Sequence, residues 1–463
     1  MAQRVLCAEI LLAFHRSLSL VYSFDETPLP VNERHTTLRG CGIEVMLGPT
    51  RHQFERGLIP LSADRGYEEA LKQRFQEMRS RQVPVIFSLM HLSVLSGVRW
   101  TRLRSIVKRE RLNEDYQVYP KQKSSGGKRW ICVPAIEVRA VQNWIAAHIL
   151  NSHGATARLS EASRAYSKGC SILRNAEQHS AAPWMVKIDI HSFFESVSER
   201  QVYWVFRKLG YPALLSFEMA RICTRVAPPA IDRFRRRDVK WRWNEQNRGL
   251  RHTVPYDASQ SGHLPQGAPT SPMLSNLVAL KVDEQVTAIA LEFGGVYTRY
   301  ADDLIVSFSE GSRATCQAVL QRIRRVLGHH GFVVNRKKTH ILGPGARKIV
   351  TGLVVNDTQP RLKRQTKNHI EVALHYIETK GLIEHARFVR SKHPIAYLNH
   401  LSGLVEFARS IEPSFGGKAL QRLQAIYAKN TEMLETLAEF SRANDFVVRH
   451  RSHSKNSRGA RGF

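Results

Sequence analysis

The stretch Val296-Tyr-Thr-Arg-Tyr300-Ala-Asp-Asp303-Leu-Ile-Val-Ser-Phe308 decides how the rest of the chain is read. Its apolar and aromatic residues alternate well enough for two short strands, and Ala301 to Asp303 supplies a polar hairpin tip. Upstream, Met185 to Ile190 reads as a strand, followed by a helix from Ser198, where Ser-Glu-Arg-Gln forms a capping box. Ser271-Pro272 marks a second helix start, with Ser as cap and Pro in the first turn, and an apolar-rich run carries that helix to Phe293. Downstream, Cys316 to Leu327 is helical and ends at Gly328, and Gly331 to Ile341 returns to strand. With the extra helix set aside, the order is a ferredoxin-like βαββαβ, in which the first strand and the hairpin lie side by side. That plan brings Asp189 towards Asp302 and Asp303. Taken alone, an Asp-Asp pair in a turn is ordinary solvated loop chemistry. Three acids converging repel one another unless divalent cations share them, and a pair of Mg²⁺ ions would join carboxylate oxygens to substrate phosphates.

Around this centre the composition is that of a folded protein, 43% hydrophobic and 24% charged over 463 residues. Charge is the anomaly. Lys and Arg number 69 against 40 acids, a net +29, which points to a polyanionic partner. No stretch approaches the ~18 consecutive apolar residues of a membrane span, so no membrane role is expected. Six scattered cysteines without a CxxC pair suit a reducing cytoplasm and argue against a zinc ribbon. Pro228 to Arg251 carries eight Lys/Arg, three acids and two tryptophans, Trp241 and Trp243, a mixture suited to phosphates and stacked bases. The tail from Ser441, with six Lys/Arg and one acid, is expected to be disordered until RNA orders it. Helical patterns cover Tyr67 to Arg81, the two sides of the Ser96-Gly97 break, and Ile136 to Leu150. Trp130 to Val133 reads as a strand. Beyond Gly343, a hairpin begins at Val350, and helices follow over Lys367 to Lys380, Ile395 to Ile411 and Gly417 to Phe440.

The ordered blocks resemble those of reverse transcriptases. They are Tyr119-Pro-Lys121 with Gly126-Gly-Lys-Arg129, the Asp189 strand with Phe193-Phe194, Leu264-Pro-Gln266-Gly267-Ala-Pro-Thr-Ser-Pro272, Tyr300-Ala-Asp-Asp303, and Gly331-Phe-Val-Val-Asn335 with Lys337-Lys338-Thr339. The resemblance implies an α+β right-hand polymerase: an N-terminal extension over 1–82, fingers over 83–170, and a ferredoxin-like palm over 171–360 with a basic insertion at about 205–262. A helical thumb over 361–440 and a basic tail complete it. It implies two Mg²⁺ ions held by Asp189, Ile190, Asp302 and Asp303, and an incoming dNTP held by Lys121 and Arg129. Phe194 would be a steric gate under the sugar, Gln266 and Gly267 would face the template–nucleotide pair, and Lys338 or Lys337 would protonate the leaving pyrophosphate.

Asn175-Ala-Glu-Gln-His179 and Val350-Thr351-Gly352 match two signatures of retron reverse transcriptases. That branch implies recognition of a cognate structured noncoding RNA and synthesis of msDNA from an internal guanosine 2′-hydroxyl. It also implies bacterial antiphage defence with a separate effector protein. Two other readings stay open: a group II intron-like or CRISPR-associated enzyme extending a 3′-hydroxyl, and an RNA-binding maturase or scaffold with a vestigial site.

Overall fold

The computed structural model describes residues 65–112, 114–122, 128–226, 262–391 and 393–429. Nearly all of the N-terminal extension, Gly126 and Gly127, the insertion at Pro228 to Arg251 and the basic tail lie outside them. By compactness the chain forms two units, Met1–Cys170 with Trp184–Ile341, and Ser171–Pro183 with Leu342–Phe463.

Among the described residues the first unit begins with helices α1 (Arg65–Ser80), α2 (Leu89–Ser96) and α3 (Trp100–Lys108). Gly97, left-handed at φ 69°, caps α2 at the expected break. Strands β1 (Tyr116–Gln122) and β2 (Lys128–Pro134) form an antiparallel hairpin. Helix α4 (Ile136–Trp144) continues directly into a π-helical turn, Ile145–Leu150, so the helix expected over 136–150 changes pitch halfway.

The central sheet contains β3 (Trp184–Asp189), β4 (Gly295–Tyr300), β5 (Asp303–Phe308) and β6 (His340–Leu342), in the order β4-β5-β3-β6. Numbered within the sheet, this is the 4-1-3-2 arrangement of a βαββαβ plan read from the β6 edge. Between the first and second of these strands lie α5 (Glu199–Lys208), α6 (Ala213–Cys223) and the long α7 (Ser271–Glu292); α8 (Arg313–His329) follows the hairpin. Apolar residues explain the packing. Val186 and Ile188 of β3 and Leu304 and Val306 of β5 join Val282 and Val286 of α7 and Val319 and Ile323 of α8 in one core. Each such side chain, once buried, contributes about 1.5–3 kcal/mol.

Three local expectations change. The Ser198 capping box is present, but Ser271 is not a cap: Thr270 holds that position, and Ser271 Oγ donates to the Pro265 carbonyl at 2.7 Å. Helix α8 runs past Gly328, and the left-handed residue that turns the chain is Gly331, φ 84°. The strand expected over 331–341 is largely absent. Val334 makes one bridge to Ile190, Arg336–Lys338 forms a 3-10 turn, and strand resumes at His340. The turn swings Asn335 and Lys338 onto Asp189, which a straight strand would not do.

The second unit contains the short helix Ile172–Glu177, strands β7 (Ile349–Val350) and β8 (Leu353–Val354), and helices α9 (Arg364–Lys380), α10 (Leu382–Phe388), α11 (Pro394–Ile411) and α12 (Pro413–Lys429). Leu374 and Ile377, Leu401 and Val405, and Leu423 and Ile426 are its buried helix faces. Ser171–Pro183 thus belongs with the C-terminal helices by compactness, although the sequence places it at the start of the palm. Among the described residues, no helix is long and apolar enough to cross a membrane.

Candidate active site

Strand pairing puts the acids together. Asp189, at the end of β3, faces Asp303, at the start of β5, and the Ile190 amide donates to the Asp302 carbonyl at 2.9 Å. Side chains two apart on a strand share a face, so Lys187 lies on the Asp189 side and reaches Asp303 at 3.6 Å. Asp189, only 4% exposed, accepts from Asn335 Nδ2 at 2.9 Å and Lys338 Nζ at 3.0 Å. Ile190 is buried beside it.

The cluster is under electrostatic stress. Burial raises the pKa of Asp302, and the charges of Asp303 and then Asp189 raise it further. Burial likewise raises Asp303, against the partial relief of Lys187. The hydrogen bond to Asp189 raises the pKa of Lys338, so its ammonium is kept. The structure therefore separates the two lysines left equivalent by sequence: Lys338 is at the carboxylates, and Lys337 is an exposed neighbour.

Among the described residues no three His, Cys, Asp or Glu side chains are gathered as metal ligands. Instead, Asn335 and Lys338 hold the two oxygens of Asp189, and Lys187 lies 3.6 Å from Asp303. The donor set still fits a hard divalent cation. It consists of oxygens from adjacent strand ends, two of them on acids whose ionised forms are disfavoured by burial and mutual repulsion.

The flanking blocks have their own logic. Lys121 and Arg129 are cross-strand partners in β1–β2 and both are exposed, so one patch carries both cations. The hairpin is fastened to the Gln266-Gly267 loop, because the Cys132 amide donates to the Gln266 carbonyl at 2.7 Å. Gly267 has φ 117°, and a Cβ there would lie 2.9 Å from the Cys132 carbonyl oxygen. Glycine is thus required by the approach of β2, a cause distinct from the template contact expected of it. Phe194 is half-buried, 5.7 Å between centroids from the buried Phe193. Core packing accounts for Phe193 and leaves Phe194 partly open.

Sequence reading assigned no role to Asn335, Lys187, Arg299 or Tyr166. Lys187 was detectable from its two-residue spacing to Asp189. Arg299 is fully buried, and all its donors are used. Nε and Nη2 bind both oxygens of Asp283 at 2.8 and 2.7 Å; Nη1 reaches Asn276 Oδ1 and the Ala301 carbonyl, and Nη2 reaches Ser163 Oγ. Ala301 is left-handed at φ 57°, so Arg299 braces the strained turn that presents Asp302.

The family model for reverse transcriptase (RNA-dependent DNA polymerase) matches residues 119–398, more than half of the chain. The chain is a member of the reverse transcriptase family. This reverse transcriptase is 29% identical over 316 residues to the retron Ec86 reverse transcriptase of Escherichia coli, an alignment covering 67% of this chain and 85% of that one. It is 32% identical over 317 residues to the retron Mx162 reverse transcriptase of Myxococcus xanthus, covering 65% of this chain and 59% of that longer relative. A solved foamy viral protease–reverse transcriptase with double-stranded DNA aligns with TM-score 0.37 and 16% identity, over 70% of this chain and 43% of that one.

In the second unit, the two signature segments come together. The Ile172–Glu177 helix packs on β7 and β8, and Thr351 Oγ1 donates to the Ile172 carbonyl at 2.9 Å. Thr351 (φ 45°) and Gly352 (φ 90°) form the two-residue loop joining β7 to β8, which needs positive φ at both positions. Gly352 is there for its backbone, since open space surrounds a Cβ built on it. Asn175, His179 and Val350 are fully buried. The Asn175 amide has no hydrogen-bond partner on either end among the described residues.

Proposed function

We propose that this reverse transcriptase is the polymerase of a retron. In this reading it binds a cognate structured noncoding RNA and copies part of it into msDNA, starting from an internal guanosine 2′-hydroxyl, inside a bacterial cell. It would serve antiphage defence with a separate effector protein. The observation that carries the retron reading is the packing of the two signatures against each other, 175 residues apart between Asn175 and Val350. A β-branched residue at positive φ and an unpaired buried amide each cost stability, about 1–3 kcal/mol for such a group. Costs of this kind at signature positions support a role beyond packing. By that reading Asn175, His179, Val350, Thr351 and Gly352 shape the surface that recognises the RNA.

Two Mg²⁺ ions held by Asp189, Asp302 and Asp303, with Ile190 alongside, would supply charge stabilisation at the primer oxygen and the leaving pyrophosphate. The chain's own groups would do the rest. Lys121 and Arg129, on one face of their hairpin, would grip the triphosphate of a dNTP, Arg through its fork and Lys as a point charge. Phe194 would lie under the sugar and exclude a 2′-hydroxyl. Gln266 and Gly267, fixed by β2, would border the template–nucleotide pair. Lys338, kept protonated, would hold a proton at Nζ for the pyrophosphate.

The test is to incubate the protein with its cognate RNA, dNTPs and Mg²⁺ and to treat the product with debranching enzyme. DNA that stays joined to RNA until debranched is the expected result. Recovery of free cDNA alone would remove the retron reading and leave the polymerase standing.

A further inference from the structure

Tyr166 lies eighteen residues before any strand of the sheet, yet it arrives at the reaction centre. Its placement is built in. Ala162 to Arg164 runs beside β4: the Arg299 amide donates to the Ala162 carbonyl at 2.7 Å, the Arg164 amide donates to the Arg299 carbonyl at 2.8 Å, and Ser163 bridges Arg299 in parallel. Side chains lock the same segment. Arg299 Nη2 donates to Ser163 Oγ at 3.2 Å, and Asn276 Nδ2, on α7, donates to the Ala165 carbonyl at 2.8 Å. Immediately after this clamp Tyr166 takes φ 65°, a left-handed backbone that costs a bulky residue energy.

The consequence is a ring against a ring. Tyr166 and Phe194 have centroids 6.2 Å apart with planes tilted by 41°, and Phe193 flanks Phe194 from another direction at 5.7 Å. Burial raises the Tyr166 phenol pKa, and the next cause is the charge of Asp302, so the same side chain is also within electrostatic reach of the catalytic turn. Phe193 is fixed by the core, and by Arg299 over its face at 5.8 Å. Phe194 is therefore bracketed by one ring set in the core and one ring set by the clamped segment.

We infer that Tyr166 is a positioning residue for sugar selection, its ring holding Phe194 in place so that the gate does not yield to a 2′-hydroxyl. This rests on the reading of Phe194 as the gate. A half-exposed phenylalanine supported on one side can rotate or tilt, and a gate that tilts admits a ribonucleotide. An aromatic pair of this geometry is strong enough to change discrimination about three- to tenfold. The ring carries the effect, and the hydroxyl does not.

The test measures kcat/KM for a dNTP and the matching rNTP on a primed RNA template, using full-length wild type, Tyr166→Ala, Tyr166→Phe and Phe194→Val. Phe194→Val should collapse the preference for dNTP; if the preference survives, the gate reading fails and this inference with it. With the gate verified, Tyr166→Ala should lower the dNTP/rNTP ratio about three- to tenfold, and Tyr166→Phe should keep the wild-type ratio. A merely structural role would lower both substrates in equal proportion. That outcome, or a Phe variant as permissive as the Ala variant, would overturn the inference. Should Tyr166→Ala not fold, Tyr166→Asn removes the ring with a residue type that tolerates the left-handed backbone, and the same ratio decides.

Discussion

Two charged clusters sit beside the same strands and behave in opposite ways. Asp283 and Arg299 are both inaccessible to solvent, bound through two parallel hydrogen bonds, and further satisfied by Tyr297, Asn276, Ser163 and the Ala301 carbonyl. Burial works against the Arg299 charge, and Asp283 more than compensates, so its pKa is raised. A few residues along, Asp302 and Asp303 have raised carboxyl pKa values because burial and neighbouring carboxylates exceed the relief from Lys187 and Lys338. One cluster is complete without any ligand. The other holds carboxyl groups whose ionised forms burial and mutual repulsion disfavour. Ala301 links the two: Arg299 holds the left-handed turn from which Asp302 and Asp303 follow.

The largest expected effect lies in the stressed cluster. Asp302→Asn should reduce DNA synthesis on the order of 1000-fold, read as dNTP incorporation on a primed RNA, while the circular dichroism spectrum stays that of wild type. The complete cluster should respond in the reverse sense. Asp283→Asn leaves Arg299 buried without its counter-ion, so chemical denaturation should show a loss of about 3–5 kcal/mol. If Asp283→Asn were as stable as wild type, the brace would be no brace. Third in size, Lys338→Ala should lower kcat about 100-fold, whereas Lys337→Ala, altering an exposed neighbour, should change it little. Equal losses in the two variants would contradict the assignment that the geometry makes.

Stability against pH offers a finer contrast. An acid whose pKa is raised on folding binds its proton more tightly in the folded state, so it costs stability as pH rises above its unfolded value. Without divalent cations, Asp302→Asn should therefore be slightly more stable than wild type at neutral pH. The gain should be no more than about 1 kcal/mol, since solvent reaches the site, and it should fade as pH falls towards the ordinary Asp value of 3.8 and be absent below it. A gain that grew on acidification would mean that folding lowers the Asp302 pKa, and would contradict this. An effect of similar size belongs to the signature loop. Thr351→Val removes one hydrogen bond, so thermal unfolding should report a loss of about 1 kcal/mol.

The sheet was legible because its strands are short apolar runs flanked by good helix signals, so the sequence alone places Asp189 beside Asp302 and Asp303. The capping box at Ser198 and the glycine stop at Gly97 were legible for the same local reason. Arg299 was not, because a buried arginine in a strand is spelled like an exposed one; only its partner Asp283, on a different element, tells them apart. Tyr166 was invisible because its position depends on a segment recruited to β4 by backbone pairing, which leaves no periodic mark. The break at Asn335 to Lys338 was missed because the apolar run Phe332 to Val334 continues naturally as strand, and the side-chain bonds to Asp189 that bend it are long-range. The approach of the Cys132 carbonyl to Gly267 was not legible either, because it comes from a strand far away in the chain.

The most direct single measurement is dTTP incorporation on an oligo(dT)-primed poly(rA) template in Mg²⁺, by wild type and Asp302→Asn side by side. Carboxylates that share divalent ions beside a templated primer end predict steady synthesis by the wild type, and its disappearance in the folded variant. Synthesis at the same rate in both proteins, or in neither, would contradict it.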